Sequence, residues 1–329
     1  DPMWNAPFYG SCDLLMSISK QTYGINKRVM AKYGEHFEDW QMKYVPHGVS
    51  EKFYPMSGEE HNKLKMRADL GISDNKNFIL LWNNRNIRRK SPGDLILAYK
   101  TFCDTLTKEE ADNCLLLLHT QPVDDNGTNL VEVVENICPD YDVQFTNAQF
   151  STSELNILYN IADVNLNIAS NEGFGLASCE AVNAGTPIIV NVTGGLQDQC
   201  NFTIDGKYIT AEQYIELGSL HNKKDLPQNL SWGSWVNPVW PSNRSLQGSP
   251  PTPYIFDDRC SYEDVAKAIK QWYDTPLERR IECGLEGSEW MKSKEAGMSA
   301  KNMGERYIDA IDGVFKNWKP KTELVLWKV

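Results

Sequence analysis

Glu172 and Glu180 bracket the segment Asn171-Glu172-Gly173-Phe174-Gly175-Leu176-Ala177-Ser178-Cys179-Glu180, in which two carboxylates flank seven residues containing a Gly-x-Gly. A strand-like apolar run precedes the segment and a short helix opens within it. Glycines let the backbone come close to a ligand. A helix start offers unpaired N–H groups to an anion. Carboxylates accept hydrogen bonds from hydroxyls. The combination suits a ligand with hydroxyls on either side of a phosphate, which describes a nucleotide sugar.

A second cluster lies upstream. Asn84-Arg85-Asn86-Ile87-Arg88-Arg89-Lys90 puts four cations in six residues of a chain whose formal net charge is −11. Ser91-Pro92-Gly93-Asp94 follows and reads as a helix start, with Ser91 as N-cap, Pro92 as first helical residue and Asp94 completing something like a capping box. Cations at the positive end of a helix are unfavourable unless an anion joins them. A bidentate guanidinium and a lysine point charge suit a diphosphate. Alone, the cluster reads equally well as a solvated basic turn; beside the paired glutamates the diphosphate reading is favoured.

Together these segments resemble the donor site of retaining glycosyltransferases of family four, which have the GT-B fold. The resemblance runs from about Cys12 to about Asp198 and resumes at Tyr254. It implies that Glu172 binds hydroxyls of the donor sugar and that backbone amides of Gly173, Phe174, Gly175 and Leu176 meet the sugar and phosphates. Glu180, one helical turn in, then takes the ribose hydroxyls, since a carboxylate beside phosphate would be repelled. The family's arginine and lysine carry over to Arg85 and Lys90; Arg88 and Arg89 have no counterpart. Gly194-Gly195-Leu196 stands where the family has G-G-x-x-E, with Gln197 and Asp198 departing from the usual acid pattern. The base is expected at the turn Thr146 to Gln149, flanked by His119 and Thr120.

The resemblance implies transfer of a sugar from a nucleotide-diphosphate donor to an acceptor hydroxyl, with retention, through an oxocarbenium-like transition state. Arg85, Lys90 and the helix N-terminus stabilise the departing diphosphate in place of a metal, and Glu172, Arg85 and Lys90 are the expected catalytic set. No metal and no cofactor beyond the donor substrate are expected; Asp140-Tyr141-Asp142 fits a D-x-D string but reads as a polar turn after Pro139. The acceptor class, whether glycan, lipid or protein, stays open. Family members also carry a first domain with a glycine loop, a cleft histidine and the acceptor pocket. Only about fifty residues precede the second domain here, so most of the first domain, through which a peripheral membrane contact could be made, is expected to be missing. The alternative from another class is a non-catalytic nucleotide-sugar-binding or scaffold subunit that needs another chain for its first domain. A GT-B epimerase, which relies on cleft histidines, fits less well in a chain with five histidines in all.

These residues need a frame. Phe78 to Trp82, Cys114 to His119, Val143 to Phe145, Val164 to Ile168 and Thr186 to Val190 read as strands. Helices are expected between them at Ser91 to Leu106, Leu130 to Ile137, Ser153 to Ile161 and Leu176 to Ala184. Such alternation predicts an α/β, doubly wound parallel Rossmann-like sheet, which binds ligands at the carboxyl ends of its strands. Upstream, Cys12 to Ser19 and Lys43 to Val49 read as strands around a helix at Arg28 to Tyr33, and Ser57 to Leu70 as a helix. The expected division is 1–50 as the remnant of a first domain, 51–299 as the donor domain, and 300–329 as crossover helix and tail. Residues 201–253, rich in Trp, Ser, Asn, Gly and Pro, read as a long inserted loop or small excursion, either a surface loop pinned by its tryptophans or an acceptor- or partner-facing flap. Ser261 to Tyr273, Leu277 to Lys292 and Ala300 to Trp318 read as the last helices.

The composition, 41% hydrophobic and 23% charged over 329 residues, is that of a globular protein of about two domains. The negative charge argues against general nucleic-acid binding, and no apolar run approaches the ~20 residues of a membrane span. None of the eight cysteines forms a C-x-x-C pair, which reads as a reduced cytoplasmic protein without structural zinc.

Overall fold

The computed structural model describes residues 1–34, 37–57, 63–217 and 225–320. The chain opens with α1 (Ala6–Ser11), then β1 (Leu15–Ser17), α2 (Lys20–Tyr33) and β2 (Met42–Tyr44), with β1 and β2 paired in parallel. The expected strands there are shorter than the sequence suggested and the helix longer. Ser19 explains the early start of α2: its side chain accepts from the amide of Thr22, an N-cap contact. Ala6, Val29, Met30 and Met42 form a small apolar core of their own. Part of the helix expected at Ser57 to Leu70 lies outside the described residues; α3 (Lys63–Asp69) is its visible part.

Next come β3 (Phe78–Asn83), α4 (Pro92–Cys103), α5 (Lys108–Asp112), β4 (Cys114–His119), α6 (Leu130–Ile137), β5 (Val143–Thr146), α7 (Thr152–Ile161), β6 (Val164–Asn167), α8 (Leu176–Asn183) and β7 (Ile188–Asn191). β3 and β4 are apolar at successive positions because helices cover both faces of the sheet. Ile79 and Leu81 enter one core cluster while Phe78, Leu80 and Trp82 enter the other, the alternation a strand imposes. Leu95, Ala98, Tyr99 and Phe102 of α4 are fully buried, as their spacing predicts.

The segment after β7 corrects the expected insertion. It holds β8 (Thr203–Ile204), β9 (Lys207–Tyr208), α9 (Ala211–Leu217), β10 (Leu230–Ser231) and β11 (Val236–Val239), followed by the hairpin β12 (Asn243–Ser249) and β13 (Thr252–Arg259). β8, β9 and β10 form a small antiparallel sheet. β11 joins the main sheet, parallel to β7. Pro238 obscured this strand in the sequence; it is tolerated because β11 is an edge. Trp235 and Trp240 are buried in the core rather than pinning a surface loop. The chain closes with α10 (Tyr262–Asp274), α11 (Leu277–Lys292) and α12 (Ala300–Asn317). α12 packs back on the amino-terminal part: the Arg306 guanidinium lies 5.5 Å from the Tyr44 ring.

The main sheet is an all-parallel, six-stranded Rossmann-like layer in the order β11-β7-β6-β3-β4-β5. From β3 the chain runs outward through β4 and β5, then returns to β6 on the other side of β3. The topological switch point therefore lies between β3 and β6, where ligands of such sheets bind. Among the described residues no helix is long and apolar enough to cross a membrane.

Candidate active site

Both sequence clusters fall at that switch point. The cationic loop follows β3 and the Glu172 loop follows β6. Lys90 Nζ forms an ion pair with Glu172 Oε2. The two side chains are only 9% and 11% exposed, so the pair is largely shielded from water and its attraction exceeds that of a surface pair. Burial lowers the pKa of the Lys90 ammonium, and Glu172 opposes the shift. Arg89 Nη1 donates to the same Oε2 at 3.0 Å and to the Asn171 carbonyl at 2.9 Å. Among the described residues Glu172 Oε1 has no partner.

At the other end of the segment, the Tyr159 hydroxyl donates to Glu180 Oε2 at 2.8 Å and accepts from Asn83 Nδ2 at 2.8 Å. Glu180 is thus tied through α7 to the end of β3. Burial raises the pKa of its carboxyl, with the Tyr159 hydrogen bond opposing.

The glycine loop between the two glutamates is moulded from below. Gly175 sits at φ +89° as the residue before α8, a conformation that favours glycine. Gln199 Nε2 donates to the carbonyls of Phe174 and Gly175, both at 2.9 Å. The Gly195 amide donates to the Glu172 carbonyl at 3.0 Å. A Cβ on Gly194 would stand 1.9 Å from that carbonyl oxygen, and one on Gly195 would stand 2.4 Å from the Gly173 carbonyl oxygen. The Gly194-Gly195 turn is therefore the floor on which the Glu172 loop rests. His47 meets Phe174 edge-on with ring centroids 5.2 Å apart. Asp198 accepts from the Lys20 amide and the Tyr44 hydroxyl, both at 2.9 Å, and so ties this turn to the start of α2 and to β2.

Of the sequence-predicted residues, the structure pairs Lys90 with Glu172, whose loop leads through Gly173, Phe174 and Gly175 into Leu176 and Glu180 of α8. Arg85 is not in contact with Glu172: it is 63% exposed, with Nε donating to Asp124 at 2.9 Å. Ser91 and Asp94 depart from the expected capping arrangement. Ser91 closes the preceding turn with a left-handed backbone, φ +52°, and its side chain caps nothing. Asp94 instead pairs with Arg259 of the hairpin at 2.6 Å. His119 stacks on Phe150 at 4.9 Å and 4°, beside the turn expected to meet a base.

Sequence reasoning missed the hairpin's part. Asp258 is buried and laced to the site by four bonds: its amide to the Ser170 carbonyl (2.8 Å), its carbonyl from Asn191 Nδ2 (2.8 Å), and its carboxylate from Thr193 Oγ1 (2.9 Å) and Arg244 Nε (2.6 Å). A cavity of about 430 Å³ lies over Glu172 and Gly173, walled by Tyr254 and Phe256 of the hairpin and by Thr22 and Arg28 of α2. That volume is in the range of small-molecule sites. Asp258 carried no local signal, because its partners are supplied by strand ends far away in the chain.

An α/β chain with this switch-point site and cleft belongs to the GT-B class of glycosyltransferase folds. A family profile described as family 4 glycosyltransferase in conflict systems matches residues 55–230, and the chain belongs to that family. Solved structures agree in fold. Sucrose-phosphate synthase from Thermosynechococcus elongatus matches at TM-score 0.62 and 18% identity, over 95% of this chain and 61% of that one. α,α-Trehalose 6-phosphate synthase from Burkholderia multivorans matches at 0.63 and 10%, over 94% and 61%. HepE from Anabaena, solved with UDP and glucose, matches at 0.58 and 13%, over 92% and 63%. The chain thus spans about three fifths of the length of these structures. Among curated proteins none matches.

Proposed function

We propose that this chain binds a nucleotide-diphosphate sugar at the β3–β6 switch point and serves as the donor half of a glycosyltransferase that moves the sugar to an acceptor hydroxyl, with retention and without a metal. One observation carries the reading: the segments that follow two adjacent strands at the switch point are tied twice, Glu172 directly to Lys90, and Glu180 of α8 through Tyr159 to Asn83 at the end of β3. The start of α8 lies between those ends.

In this reading the diphosphate lies on the amides at the start of α8, where the helix dipole favours negative charge. Lys90 faces the charge that grows on the leaving diphosphate as the glycosidic bond breaks. Arg85 joins it by leaving Asp124. Glu172 holds sugar hydroxyls and Glu180 the ribose hydroxyls. HepE, solved with UDP and glucose, supports the choice of donor chemistry. The cavity between Glu172, the hairpin and α2 is where the acceptor would enter.

The test is a thermal-shift panel of UDP-, GDP- and ADP-sugars on the wild type, Glu172→Ala and Lys90→Ala. Stabilisation of the wild type by one donor, lost in both variants, is expected. No stabilisation by any nucleotide sugar or free nucleotide would overturn the reading. Stabilisation without transfer or donor hydrolysis, even with a first domain supplied, would favour a nucleotide-sugar-binding subunit instead.

A further inference from the structure

We infer that Arg89 is a positioning residue that fixes the pose of the Glu172 carboxylate and thereby lets the site distinguish a nucleotide sugar from the bare nucleotide. The inference rests on the donor-site reading above, but neither the sequence motif nor the family profile assigns Arg89 a role.

Three contacts from this one residue hold the Glu172 loop. Its guanidinium Nη1 donates to Glu172 Oε2 at 3.0 Å and to the Asn171 carbonyl at 2.9 Å. Its own carbonyl accepts from the Ser170 amide at 2.7 Å. Main chain and side chain together clamp residues 170, 171 and 172 to the loop after β3. Both side-chain bonds leave one guanidinium nitrogen, whose two N–H directions are fixed by the guanidinium plane, unlike those of a freely rotating ammonium.

The electrostatics give the clamp its purpose. Lys90 and Arg89 both reach Oε2, which leaves Oε1 without a partner among the described residues. A carboxylate with one oxygen anchored by two cations and the other unclaimed is poised to accept a hydroxyl from one direction. Without Arg89, Lys90 alone would hold Glu172, and nothing would stop the carboxylate rotating to share both oxygens with the ammonium. Charge-assisted bonds of this kind are worth more than neutral ones, so the rotated pose would compete with a sugar hydroxyl. Arg89 thus bears on the sugar and not on the nucleotide, which lies on the far side of the diphosphate in this reading.

The experiment is calorimetric titration of the wild type, Arg89→Ala and Arg89→Lys with the best nucleotide sugar from the panel and with its nucleoside diphosphate. For Arg89→Ala, affinity for the nucleotide sugar should fall about tenfold while affinity for the nucleoside diphosphate stays within about twofold. Arg89→Lys should recover part of the loss. Equal losses for both ligands would overturn the inference, because they would indicate a phosphate contact or a general loss of structure. Unchanged affinity for both would also overturn it. A wild type that binds neither ligand would overturn the donor-site reading itself, a separate outcome.

Discussion

Lys90 and Glu172 stand 82 residues apart in sequence and form an ion pair at the adjacent ends of β3 and β6. Each carboxylate and ammonium so enclosed depends on its partner, since an unpaired buried charge is costly. Breaking a buried pair typically costs about 3–5 kcal/mol. In Lys90→Ala, Arg89 remains as a second partner for Glu172, so a smaller loss of about 2 kcal/mol is expected in urea unfolding. The double variant Lys90→Ala/Glu172→Ala should lose less than the sum of the two single variants.

Gly194→Ala should be among the most damaging small substitutions. The new Cβ would meet the Glu172 carbonyl oxygen at 1.9 Å, and φ is +50° there. Backbone cannot yield as a side-chain tip does, so a cost above about 3 kcal/mol is expected, with loss of donor binding. Gly206→Ala is the control: φ is +73° but among the described residues nothing lies within 4 Å of its Cβ, so about 1 kcal/mol and unaltered binding are expected. Chemical denaturation with a donor titration would separate the two.

Trp235 links the segment after β7 to the candidate site. It is buried, lies 5.2 Å from Trp290 ring to ring, and donates from Nε1 to the Gln199 carbonyl at 3.1 Å. Gln199 in turn holds the glycine loop. Trp235→Ala should cost about 4 kcal/mol by cavity formation. Trp235→Phe should retain much of the stability while weakening donor affinity through Gln199. Unfolding curves on both variants, paired with the calorimetric titration, check this.

Asp198 supplies a pH signature. Burial raises its carboxyl pKa to about 6, with Lys20 and the two hydrogen bonds opposing. An unfolded aspartate titrates near 3.9. Between about pH 4 and pH 6 the folded state therefore binds the extra proton, and stability falls as pH rises through that window, then levels off. Asp198→Asn should flatten this part of the pH–stability curve. An unchanged slope would show that the carboxylate is already ionised below that window.

Elements with strong local signals were legible in the sequence. β3, β4 and α4 declare themselves by unbroken apolar runs or helical spacing, and Glu172, Lys90 and Glu180 by a motif that lies where strands end. What could not be read depended on distant partners. β11 is a strand only because β7 offers an edge to a segment containing Pro238. Asp258 lies at the candidate site only because β6 and β7 deliver Ser170, Asn191 and Thr193 to it. Arg89 looks interchangeable with Arg88 in sequence; the turn at Arg88–Lys90 turns one toward Glu172. Ser91 has the right residue type for an N-cap, but the turn it closes takes its backbone into the left-handed region.

The most direct measurement is a crystal structure with the nucleotide sugar that stabilises the protein most. The diphosphate is expected on the amides at the start of α8 facing Lys90, with the sugar on Glu172 Oε1 and the ribose on Glu180. A diphosphate seated elsewhere, for instance in the separate cavity of about 360 Å³ lined by Arg88, Ser91 and Arg259, would contradict the assignment of the switch point as the donor site.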